Sequence, residues 1–134
     1  MPYSIRFTNS GAEVRYSGVV TAAEVAASLD EVRRHDYPGG RHFMIVDLEA
    51  ADLASLTGAD VQALARQSPA PVGGPLPTAV IAPEDTAFGL GRMWVASIDE
   101  RPVVARVLRT RAMALAWLST RGIPVAELPA DPEG

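Results

Sequence analysis

The side chains with the type and spacing to do chemistry gather at two places in this sequence. The first is Asp47, which closes the apolar run Phe43-Met44-Ile45-Val46 and precedes Asp52, Ser55 and Thr57. A carboxylate at the C-terminal end of a strand stands where α/β proteins place catalytic and ligand groups. No partner base lies near it in sequence, so a loop anchor accepting backbone N–H bonds is the simpler role. Ser55 and Thr57 can supply a polar rim, although hydroxyls beside a helix start usually cap the helix. The second place is Gly89-Leu90-Gly91-Arg92, where bare backbone can approach a phosphate and Arg92 can clamp it. Two glycines inside a helix cost about 1 kcal/mol each relative to alanine. Close approach of a second helix or subunit compensates that cost more simply than a phosphate does. The adjacent Met93 and Trp94 favour this reading, because Met and aromatic side chains concentrate in interface cores.

Other chemistry is excluded by residue type. The chain has no cysteine and no lysine, all twelve of its basic residues being arginine. Thiol catalysis, Schiff bases and phosphate-loop lysines are therefore absent. His35 and His42 flank a turn without the further ligands a metal needs, and no Gly-x-Ser-x-Gly elbow surrounds any serine. No cofactor motif is present. A net charge of −4 gives a nucleic-acid partner no electrostatic support. With no apolar run long enough to span a bilayer and no leader pattern at Met1–Arg6, a cytoplasmic location is expected.

The elements that must position these groups follow from periodicity. Tyr3, Ile5 and Phe7, then Ala12, Val14 and Tyr16, alternate with polar residues around the turn Asn9-Ser10-Gly11, so residues 3–17 read as a β-hairpin. Thr21 and Glu24 form a capping box that opens a helix with Val25, Leu29 and Val32 on one face. Residues 43–48 form a strand, and Thr57 caps a helix to about Gln67 with Asp60 at its third position. Ser68 to Pro77 carries four prolines and two glycines and is a surface excursion or a ligand-side loop. Strands at 78–82 and 103–108 bracket a helix with Phe88, Arg92 and Val95 on one side. Thr110 caps a last helix whose buried candidates are Ala112, Leu115, Ala116 and Leu118. Arg106, Arg109 and Arg111 form a local anion patch or offset Asp99 and Glu100. The expectation is a single α/β domain over residues 1–122, a hairpin plus alternating strands and helices in a mixed five-stranded sheet. Residues 123–134 are an extended segment and loose tail. Phe43, Ile45, Val80, Val104, Leu29, Leu64 and Leu115 are expected in one core.

The stretch from Asp47 to Gly58 resembles the STAS domains of sulfate transporters and anti-sigma-factor antagonists. In those, a strand ends in Asp-Leu and a helix begins at Asp-Ser-Ser-Gly, its glycine eleven residues after the first Asp. Here Asp47 to Gly58 is also eleven residues. Ser55, Leu56, Thr57 and Gly58 take the Asp-Ser-Ser-Gly places, so Leu56 stands where the antagonists carry their phosphorylated serine. Ile45-Val46-Asp47-Leu48, Phe88-Gly89-Leu90-Gly91-Arg92-Met93, Val107-Leu108-Arg109 and Ala114-Leu115-Ala116-Trp117-Leu118 are similar to a bacterial subgroup described as STAS-like or CRAL-TRIO-like. The resemblance covers roughly residues 3–119 and implies a STAS-like fold.

The expected function is a non-enzymatic protein-interaction or regulatory module without the phospho-acceptor serine. Partner- or ligand-binding residues are Asp47, Ser55, Thr57, Gly58, Phe88, Arg92, Met93 and Trp94. Trp94 is expected to be partly exposed and covered by a second copy or a protein partner, with a homodimer the simplest case. The alternative is a domain that binds a small apolar ligand or lipid between the 68–77 loop and the Phe88–Trp94 helix. An enzyme would rest on Asp47 and Arg92 alone.

Overall fold

The computed structural model describes residues 3–67, 76–98 and 104–123. Strands β1 (Tyr3–Phe7) and β2 (Gly11–Val19) form the antiparallel hairpin, followed by α1 (Ala22–Arg34), β3 (Phe43–Asp52), α2 (Gly58–Gln67), β4 (Thr78–Ile81), α3 (Asp85–Ile98), β5 (Ala105–Leu108) and α4 (Arg111–Thr120). The described strands make one mixed sheet in the order β1-β2-β3-β4-β5, with β2 to β5 parallel. The single α/β domain read from the sequence is the one observed.

Local chemistry places each helix. Thr21 and Glu24 close the capping box of α1, and Thr110 caps α4 by accepting the Met113 N–H. Thr57 and Asp60 cap α2 reciprocally: Thr57 Oγ1 accepts the Asp60 N–H at 3.1 Å, and Asp60 Oδ2 accepts the Thr57 N–H at 3.0 Å. Strand β3 runs on to Asp52 rather than stopping at Leu48, because its second half keeps pairing with β2 at Ser17 to Val19.

Sheet order then dictates the layers. Each parallel connection steps one strand further in the same direction, and crossovers share one hand, so α1, α2 and α3 fall on one face; α4, which follows the last strand, packs on the other. Alternate residues of β3 serve both layers. Met44 joins the α1–α3 layer with Ala12, Val14, Tyr16, Val20 and Val32. Phe43 and Ile45 join Ala79, Ile81, Leu108, Ala114, Trp117 and Leu118 under α4. The expected single core is therefore two. Phe43, Ile45, Val104 and Leu115 belong beneath α4, whereas Leu29, Leu64 and Val80 lie across the sheet. On α4, Leu118 is buried as expected, whereas Ala112 and Ala116 are exposed and burial goes instead to Ala114 and Trp117. Ile123, read as the start of the tail, is buried in that layer, and residues 124–134 lie outside the described residues.

Two glycines are required by space. A Cβ on Gly11 would sit 2.4 Å from the Phe43 ring, which is itself fully buried, so the hairpin glycine is needed for packing. Its φ is not positive, so its role at the turn is space and not backbone conformation. A Cβ on Gly91 would meet both Val107 methyls at 3.2 Å, so this glycine lets α3 lie close on β5. The approach read from the sequence as helix-to-helix or subunit contact is, at Gly91, helix-to-sheet contact within the chain. Gly89 is exposed, with open space where a side chain would be. Gly11→Ala should destabilise by about 1–3 kcal/mol through overpacking. Gly89→Ala should stabilise by up to about 1 kcal/mol through helix propensity. Urea unfolding of the two variants checks both signs.

Candidate functional site

Of the residues singled out between Ser55 and Trp94, Gly58 and Met93 meet where the N-terminus of α2 lies against α3. Gly58 opens α2 and is covered by Met93 of α3; a Cβ there would stand 3.2 Å from the Met93 Sδ. Thr57 spends its hydroxyl on the cap, and Ser55 is exposed in the preceding turn. Phe88 lies beneath the Arg109 guanidinium, 3.9 Å from its ring centre. Arg109 is held there by the Pro83 carbonyl at 3.0 Å and by Asp85 at 2.9 Å. Arg92 is exposed and makes no ion pair with the described residues, and Met93 is partly exposed with its end resting on Gly58. Trp94 is half-buried and packs against the α1–α3 core.

Beside these residues lies an apolar pocket of about 80 Å³, partly open to solvent, with β2, β3 and β4 below and α1, α2 and α3 above. Its wall, which includes Tyr16, Leu29, Val46, Leu64, Val80 and Trp94, presents no polar atom. Leu56, at the place of the acceptor serine in the family the sequence resembles, turns its side chain into this wall. The loop residues 68–75, expected to line such a groove, lie outside the described residues.

Asp47 is not part of this layer. Because β3 continues to Asp52, Asp47 lies inside the strand and not at its end, on the face turned toward α4. It is 3% exposed, accepts the Glu49 N–H at 2.9 Å and lies 3.3 Å from Arg15 Nε. That bond ties down a bulge, since β3 inserts a residue between the pairs Arg15↔Asp47 and Ser17↔Ala50. The sheet therefore separates Asp47 from Arg92, and the pairing on which an enzyme would rest is not assembled.

The structure adds residues that sequence reading missed. Glu13, only 2% exposed, receives Arg15 Nη2 at 3.0 Å and Arg111 Nη2 at 2.5 Å. Glu13 and Arg15 read as the solvent side of an alternating strand. The available signal was their opposite charge at i and i+2, which places an ion pair on one face. Arg109 and Arg111 engage different acids, so no joint anion patch forms with the exposed Arg106, and Asp99 and Glu100 lie outside the described residues. Tyr16 is likewise new: its hydroxyl hydrogen-bonds the Ser28 hydroxyl in the core, and burial pushes its pKa up to about 12.

The remaining polar features are less organised. His35 stacks on Phe7 with ring centres 3.6 Å apart, while His42 is exposed at a turn. Glu49, Asp52 and Glu84 line an open cleft of about 500 Å³ near the C-terminal ends of the strands. No group of three or more His, Cys, Asp or Glu side chains among the described residues is placed to hold a metal ion. Strand order never reverses, so the sheet has no switch-point crevice of the kind that holds ligands in doubly wound folds.

Removing one partner of the buried cluster should be severe. Glu13→Ala is expected to cost about 3 kcal/mol, because the buried carboxylate shared by Arg15 and Arg111 is lost while Arg15 keeps Asp47. Combining it with Arg111→Met should cost less than the sum of the single losses. A loss under about 1 kcal/mol in urea unfolding would mean that the cluster behaves as a surface pair. Tyr16 predicts the alkaline limb of stability. Its folded pKa lies above that of the unfolded chain, so folding favours the protonated phenol. Its stabilisation is complete below about pH 10 and falls by roughly 3 kcal/mol as pH rises toward the folded value. Tyr16→Phe should flatten that part of the pH–stability curve.

Compared with known proteins, the chain matches no family model and no curated protein sequence.

Proposed function

We propose that this chain is a non-enzymatic interaction module of STAS-like type whose contact surface is the outer face of α3. The observation that carries the reading is the composition of that face. Over its whole length α3 has only Asp85 and Arg92 as charged residues, and it turns Gly89, Met93 and Ala96 to solvent. By contrast, α1 carries Glu24, Asp30, Glu31, Arg33 and Arg34, as a helix facing only water does. Gly89 forgoes helix stability with no packing reason inside the chain, and a close-approaching partner supplies one. Met93 is 36% exposed and seated on Gly58, an apolar knob on a rigid base. Arg92 adds a cation available to a partner's carboxylate. A second copy is the simplest partner, since a two-fold contact needs one self-complementary patch.

A second reading, binding of a small apolar ligand, is favoured by the all-apolar cavity under the same helix. The described residues contain no helix long and apolar enough to cross a membrane.

The contact is best tested at exposed positions. Trp94 packs into the core, so its replacement would disturb the fold as well as the surface. Met93→Asp and Gly89→Glu add charge where there is room for it. Sedimentation should show association of the wild-type chain that both variants reduce about tenfold or more, each remaining folded by circular dichroism. Monomers throughout, at high concentration, would exclude self-association. Unchanged association in both variants would place the contact elsewhere.

A further inference from the structure

Strand β1 lies at one edge of the sheet, beside β2 alone. The Thr8 N–H donates to the Gly11 carbonyl at 2.9 Å, so the backbone of Thr8 faces β2. Alternation along an antiparallel pair then turns Arg6 and Ser4 to β2 as well, and leaves the N–H and C=O groups of Tyr3, Ile5 and Phe7 facing outward. None of these outward groups has a backbone partner among the described residues. Exposed edges are usually blunted by a proline, a bulge or lysines. Tyr3–Phe7 has none of these: its register on β2 is unbroken, and its single charge, Arg6, lies on the face away from α1. On the α1 face the strand carries the exposed Phe7, its ring stacked on His35, and Tyr3, whose hydroxyl donates to Glu31. A flat edge of this kind is a template for another strand.

We propose that the β1 edge pairs with β1 of a second copy, antiparallel about a two-fold axis at Ile5, joining the two sheets into one. The register follows from the groups on the edge. An axis at Ile5 sets Ile5 against Ile5 and Tyr3 against Phe7, so all three outward residues of each copy exchange N–H···O=C bonds. An axis at Ser4 or Arg6 brings only two of the three into bonded pairs. The Arg6 axis also sets two guanidiniums directly opposite, which is unfavourable. In the Ile5 register Arg6 meets Ser4 instead. The side chains of α1 favour the same arrangement. Glu31 lies beside Tyr3 and His35 beside Phe7. Setting Tyr3 against Phe7 therefore carries Glu31 of one copy toward His35 and the adjacent Arg34 of the other. The relation occurs twice, once on each side of the axis, and makes the edge complementary in charge to itself. A foreign strand would have to bring both the acid and the base to matching places, whereas a second copy already holds them. The opposite edge of the sheet is β5, on which α3 packs, so the pairing goes beyond the α3 contact and does not depend on it.

The test uses the full chain carrying Met93→Asp, which disables the α3 contact, in a concentration series read by amide hydrogen exchange and sedimentation. As the chain passes from monomer to dimer, the Ile5 and Phe7 amides should gain about tenfold or more in protection. Arg6, already bonded to β2, should change little. Glu31→Arg places like charges together across the axis and should weaken the dimer about tenfold, and adding Arg34→Glu should restore it. A general loss of stability would be deepened by the second substitution, not repaired by it. The exchange series needs neither charge variant, so it decides the matter if one of them fails to fold. Ile5 and Phe7 amides that exchange as free groups in the concentrated sample would overturn the proposal. So would full protection in the dilute monomer, which would mean that the chain closes its own edge, or a double variant that associates no better than Glu31→Arg. The α3 contact is judged apart from this one. A wild-type chain whose assembly stops at the same dimer as Met93→Asp would remove self-association through α3 and leave the edge pairing standing.

Discussion

The constraint behind this structure is that its parallel strands never change direction across the sheet. Every connection from β2 to β5 steps to the next position, so the shared hand of the crossovers sends α1, α2 and α3 to the same face. One face receives three helices and the other receives α4, which packs on β4 and β5. The part of the second face formed by β2 and the end of β3 has no helix among the described residues. It carries Glu13, Arg15 and Asp47 in place of apolar side chains, and α4 reaches them through Arg111. A face with incomplete helical cover is thus closed by paired charges, two carboxylates against two guanidiniums. Such a cluster contributes little net stability compared with apolar packing, yet it penalises any arrangement that separates its members. It therefore sets the register of β2 on β3 and the docking of α4 at once.

The three-helix face has the opposite difficulty. Helices packed side by side on a twisted sheet must each reach it at a different height, and here the heights are set by small or fixed groups. Gly91 brings α3 down onto Val107, the buried Ser28 lets α1 accept the Tyr16 hydroxyl, and the cap at Thr57 sets the start of α2. Between these fixed points the valines leave a space they do not fill.

Helix α3 links the two functional readings. Its inner side, through Gly91 and Trp94, forms part of the cavity wall, and its outer side presents Gly89, Arg92 and Met93. A guest beneath the helix and a partner above it would act on the same element. Asp47, the residue that most resembled a chemical group, is instead a tie between a bulge and an arginine. The chemistry suggested by its place in the sequence depended on a strand end that the structure moves to Asp52.

The sequence by itself determined the elements and their caps. Capping residues, turn residues and hydrophobic periods are local, and the boxes at Thr21–Glu24 and Thr57–Asp60 act over three residues whatever the rest of the chain does. Element order sufficed for a single α/β domain with a mixed sheet, because crossover handedness leaves few alternatives. What tertiary structure alone decided was which face each residue met. Phe43 and Met44 are neighbours in one apolar run, and only the pleat and the positions of α3 and α4 assign them to different cores. Glu13 reads as a solvent residue until Arg111, 98 positions away, closes over it. Asp47 reads as a strand end until β2 extends its pairing. The cavity has no sequence signature at all, since its wall is made of residues that any core would use. It exists because several elements, each placed by its own contacts, leave a gap that no single one of them controls.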